Sequence, residues 1–100
     1  MNTYLLTMFY PSLEAAQEPV RQCQEAVKAL AGNNWKIIKA GKCDLAIAFA
    51  TDQPSNGFKK KFTDAGRDDF HFLVVEISSV VCGWIDPSAY QWIQARLELD

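Results

Sequence analysis

Residues 35–51 read WKIIKAGKCDLAIAFAT, and their pattern decides the fold. Trp35 to Ala40 and Lys42 to Thr51 are short, rich in β-forming residues and separated by Gly41, which reads as two strands joined by a tight turn. In the second run Leu45, Ile47 and Phe49 alternate with Ala46, Ala48 and Ala50. Successive strand side chains point to opposite faces, so the large residues belong on a core face and the alanines make a flat opposite one. A partner backbone or sheet can approach such a face closely, and Ala46, Ala48 and Ala50 are therefore expected in a dimer interface. The competing reading is a strand that merely tolerates small residues outside.

Upstream, Tyr4 to Tyr10 is a short apolar and aromatic run that meets Pro11, a strand with a stop. Leu13, Ala16, Val20, Cys23, Val27 and Leu30 then recur at steps of three and four, one apolar stripe along a helix. The stripe predicts a helix from about Ser12. Pro19 could instead be a first-turn residue of a helix starting near Glu18. Gly32-Asn33-Asn34 ends the helix with residues that tolerate left-handed backbone.

Downstream, 52–57 is turn chemistry, and Phe58, Phe62 and Ala65 mark one side of a short helix closed by Gly66. Phe70 to Ile77 is apolar on both parities, as in a strand covered on both faces. Val80 to Ile85 reads as a further short strand, whose Trp84 joins the alanines as an expected interface residue. Asp86-Pro87 places a capping oxygen and an N1 proline before a last helix with Tyr90, Ile93 and Leu97 on its apolar side. The order is β-α-β-β-α-β, then a strand and a helix. That predicts one α+β domain over 1–100, a ferredoxin-like split βαβ sandwich with a C-terminal strand–helix extension. Two helices would cover one face of an antiparallel sheet, and a homodimer pairing sheets is the simplest cover for the other.

The apolar share of 49% and aromatic share of 12% supply a real core. No run reaches the roughly 18 apolar residues of a membrane span. Met1-Asn2-Thr3-Tyr4 has no basic n-region of a secretory signal, so a cytoplasmic protein is expected. Cys23, Cys43 and Cys82 are widely spaced and odd in number, which reads as reduced thiols packed as small hydrophobes. The net charge of −2 is unevenly spread: −1 over residues 1–34, +4 over 35–67 and −5 over 68–100.

No complete catalytic set is visible. His71 is the single histidine and lies within a strand, and Asp68-Asp69 reads as a solvated turn. No phosphate-loop, dinucleotide-binding or zinc-protease motif occurs, so neither metal nor cofactor is expected. The lysines carry more weight. Lys59, Lys60 and Lys61 share a short helix, and Lys36, Lys39 and Lys42 lie on the hairpin. If the two groups converge, they form a basic patch able to hold phosphates. Against nucleic acid stand the acidic balance and the presence of three arginines in all.

Asn2-Thr3-Tyr4-Leu5-Leu6-Thr7 as a first strand, and Gly83-Trp84-Ile85-Asp86 leading to Tyr90-Gln91-Trp92-Ile93, resemble the SinR-like small proteins. Those are similar to the group of the CRISPR-adaptation endoribonucleases and virulence-associated protein D. The resemblance implies a ferredoxin-like homodimer, sometimes completed by a last strand crossing to the partner. It also implies nucleic-acid chemistry in members with an aspartate just after the first strand. Here that stretch is Met8-Phe9-Tyr10-Pro11, and the nearest acid is Glu14 on the next helix. A metal-bound water needs an anionic ligand that Tyr10 does not supply near neutral pH. The expectation is a small non-enzymatic dimeric interaction or regulatory protein of antitoxin, immunity or phage–host type. The alternative is a nucleic-acid binder or metal-dependent endoribonuclease using the six lysines.

Overall fold

The computed structural model describes residues 1–62, 69–79 and 85–99. Strand β1 (Asn2–Phe9) leads to helix α1 (Gln17–Ala31) and the hairpin of β2 (Trp35–Ala40) and β3 (Asp44–Thr51). A 3₁₀ turn at Ser55–Gly57, helix α2 (Phe58–Phe62), strand β4 (His71–Ile77) and helix α3 (Pro87–Leu99) complete the order. The result is an α+β fold with a four-stranded sheet ordered β2-β3-β1-β4, in which every neighbouring pair is antiparallel. Expected elements that fall on 63–68 and 80–84, including Ala65, Gly66, Trp84 and the short strand from Val80, lie outside the described residues.

Helix α1 starts later than its apolar stripe suggests. Residues 13–16 form a turn in which the Ala16 N–H reaches the carbonyls of Ser12 and Leu13, and the Ser12 hydroxyl accepts from the Ala15 N–H. Leu13 is left exposed. Pro19 sits in the first helical turn, where its missing N–H has no intrahelical partner to lose. From there Val20, Cys23, Val27 and Leu30 bury one face. Gly32 ends the helix at φ +62°, with its N–H on the Lys28 carbonyl.

The core follows strand parity. Tyr4, Leu6 and Met8 of β1 and Leu45, Ile47 and Phe49 of β3 point toward α1 and α2 and form one cluster with Val27, Phe58 and Phe62. Tyr4 stacks on Phe49 at 5.5 Å between centroids and meets Phe58 edge-on at 4.8 Å. The buried Thr51 hydroxyl donates to the Leu30 carbonyl at 2.6 Å, tying the end of β3 to the last turn of α1.

The opposite parity forms a second, thinner core. Thr3, Ala48 and Ala50 are buried, as are Ala89 and Ile93 of α3. Helix α3 touches β1 and β2, the strands flanking β3, so it lies over the alanines between them. The side chain of Asp86 caps α3 by accepting from the N–H groups of Ser88 and Ala89 and from the Ser88 hydroxyl. At the far end the Arg96 guanidinium donates twice to Asn34 Oδ1, at 3.0 and 2.8 Å, and packs on Trp92. Ala48 and Ala50 therefore offer no surface to a dimer partner, which corrects the expectation for them. A methyl-sized side chain is what a close-packed helix requires. Ala46 stays half-buried.

Strand β4 departs from its expected double cover. Phe72 and Val74 pack on the helix-side core, whereas Leu73 and Val75, of the other parity, are 57% and 41% exposed. Apolar residues on both parities do not require cover on both faces when the strand lies at a sheet edge.

Ala48→Leu inserts methylenes beneath α3 and is expected to cost about 1–3 kcal/mol, measured by urea unfolding; a change under about 0.5 kcal/mol would mean the face is open. The bonds from Ser88 and Ala89 hold the Asp86 carboxyl below its ordinary value. Its contribution is therefore full above a carboxylate value of about 3.9 and lost as pH falls through the lower folded value. Asp86→Ala should lower the urea midpoint at pH 7, and its gap to the parent protein should close toward about pH 2.

Candidate functional site

The residues that sequence patterns single out do not assemble into one site. Lys36 pairs with Ala48 and Lys39 with Ala46 in the ladder, which puts both lysines on the α3 side of the sheet at the β2 edge. A bulge between Ile37 and Lys39 allows Ile37 to face the α1 side while Lys39 keeps the parity of Lys36. Lys59, Lys60 and Lys61 are exposed on α2, which packs on the other face. The convergence expected of the six lysines does not occur: the groups occupy opposite faces of the sheet. The cations on the α3 side also meet acids. Lys39 Nζ lies 3.0 Å from Asp44 Oδ2, and the charge of Lys36 acts on Asp86. Lys42 is exposed in the hairpin turn.

The stretch after β1 carries a buried ring. Tyr10 is buried with its ring parallel to Phe70 at 6.1 Å, and its N–H donates to the Cys43 carbonyl. Burial, then the charges of Asp44 and Cys43, push its phenol up from the ordinary value. This tyrosine is a packing residue and not an anionic ligand. His71 is exposed at the start of β4, opposite Phe9 in the ladder. Among the described residues no group of three His, Cys, Asp or Glu side chains could hold a metal ion. No helix among them is long and apolar enough to cross a membrane.

Two surface features stand out among the described residues, and sequence patterns did not single out either. The first is apolar. Phe9, Leu73 and Val75 are exposed on the α3 side of β1 and β4. Their ladder partners place them in successive rows, Phe9 with His71, Thr7 with Leu73, and Leu5 with Val75. The signal that could have found them is the edge position of β4 combined with a run of apolar residues at odd positions. The second is a groove of about 420 Å³ between α2 and β4. Phe58, Phe62, Phe72 and Val74 line its apolar part, and Ser55, Lys59 and Glu76 supply its polar groups. Tyr4 closes it toward the core.

Neither a protein-family model nor a curated protein sequence matches this chain. The crystal structure of NE2512, a protein of unknown function from Nitrosomonas europaea, is similar with a TM-score of 0.47 and 11% identity. The match covers 83% of this chain and 95% of that one.

The described cysteines differ sharply. Cys23 is fully buried against the core, and burial pushes its thiol up to about 12. Cys43 is exposed beside the Pro11 carbonyl. With maleimide at pH 7, peptide mapping should find Cys43 labelled in the folded protein and Cys23 labelled only after urea unfolding. Equal labelling of both would contradict the packing of α1.

Proposed function

We propose that this protein is a small non-enzymatic interaction or regulatory protein that works as a homodimer. The observation that carries the reading is the uncovered end of the sheet, where Leu73, Val75 and Phe9 stand exposed in adjacent rows. Contiguous apolar surface on a sheet is costly in water and is ordinarily covered. Helix α3 covers the β3 portion of this face and leaves the β4 side open. A second copy presenting the same patch satisfies both by one two-fold contact.

The scaffold reading is a ferredoxin-like split βαβ with α3 added, of the SinR-like kind. Support comes from the element order, from β1 beginning at Asn2 and from the Asp86 start of α3. The regulatory role, of antitoxin, immunity or phage–host type, takes its support from the charge of −5 over residues 68–100, suited to a basic partner. A cytoplasmic setting accords with Cys23 and Cys43 as free thiols. The nucleic-acid alternative loses its main support with the separation of the lysines.

Light scattering at micromolar concentration should give twice the 11.2 kDa chain mass. Leu73→Lys should return the mass to that of one chain with an unchanged circular dichroism spectrum, because Leu73 is exposed in the single chain. A monomeric parent protein would refute the homodimer.

A further inference from the structure

Among the described residues strand β4 ends the sheet, and a groove lies beside it. Phe72, Val74 and Glu76 line the groove from the helix-side parity. Leu73 also lines it, although its side chain belongs to the other face. Leu73 lies between Phe72 and Val74, so the groove runs over β4, whose outer edge borders no other described strand. The next strand of the sheet would run along that edge, beside the groove.

We propose that β4 of a second copy fills this place, antiparallel and centred on Val74, so that two grooves join into one chamber lined by both copies. The proposal rests on the homodimer reading above and assigns its contact. With Val74 on the axis, each Leu73 stands beside Val75 of the other copy, so the two most exposed apolar side chains of β4 become cross-strand neighbours in contact. On the helix side Phe72 faces Glu76 of the other copy. That carboxylate enters a groove that Lys59 also lines, which is the complementary charge.

Charge also selects this register over its neighbour. Centring on Val75 would put each Glu76 opposite Val74 and bring the two carboxylates into a diagonal relation of roughly 7–8 Å or less. Centring on Val74 keeps them four positions apart along the ladder. Glu76 is the single Asp, Glu, Lys or Arg in β4, so this repulsion is the main electrostatic difference between the two registers. The chamber is incomplete in one copy: its outer wall is the second copy's strand.

Cysteine cross-linking tests the contact in the full chain carrying Cys43→Ala and Cys82→Ala, with Cys23 left in the core. On mild oxidation Val74→Cys should give a reducible band at twice the chain mass. A mixture of the Leu73→Cys and Val75→Cys proteins should cross-link several-fold faster than either alone. The mixed pair lies on exposed positions and keeps the test decisive should Val74→Cys fail to fold. A protein that is dimeric by light scattering yet yields neither cross-link overturns the β4 contact and leaves the homodimer standing. Cross-linking of Val75→Cys with itself at the fastest rate overturns the Val74 register. A monomeric mass before oxidation overturns the homodimer and the contact together.

Discussion

Strand β3 has large side chains on one face and alanines on the other, so it must be covered twice, by layers of different thickness. Leu45, Ile47 and Phe49 support the thick layer, where α1 and α2 bring aliphatic and aromatic side chains to fill the space. Ala46, Ala48 and Ala50 leave room for little more than a helix resting close to the sheet. Helix α3 meets that condition with Ala89 and Ile93 inward. Burying a side chain such as Phe49 contributes about 1.5–3 kcal/mol, and an alanine far less. The thin layer therefore leans on specific polar contacts: Asp86 caps the start of α3, and Arg96 ties the helix to Asn34.

The same arrangement explains where the surface remains unfinished. Helix α3 packs on β1 and β2, and Leu73 and Val75 of β4 stay in water. On its other parity Phe58 and Phe62 of α2 line a groove over the strand. The exposed strip and the groove thus lie on the two faces of one strand, β4. The proposed contact at that edge would use backbone groups and apolar side chains together.

Much of this was legible in the residues. The hairpin at 35–51, the helix stripe from Val20 to Leu30, the Gly32 stop and the Asp86-Pro87 start all carry local rules that the structure follows. The start of α1 was not, because Leu13 fits the stripe by spacing alone while Pro19 decides where the helical turns begin. The role of the alanines was half legible: their flatness calls for a close neighbour, but only tertiary structure shows that α3 of the same chain supplies it. Convergence of the lysines could not be read at all. Spacing along the chain places Lys36 and Lys59 on elements, and the face each element turns to solvent depends on how the sheet is assembled.

The Asn34–Arg96 contact joins positions 62 apart in the chain. A contact closing so long a loop cannot assist the first collapse, since the entropy of closure is repaid only after the hairpin and β1 have paired. The β1–β4 ladder closes loops as long or longer, since its Thr3 and Ile77 stand 74 positions apart. By the same reasoning the hairpin and β1 make a three-stranded sheet first, and β4 and α3 are both late additions to it.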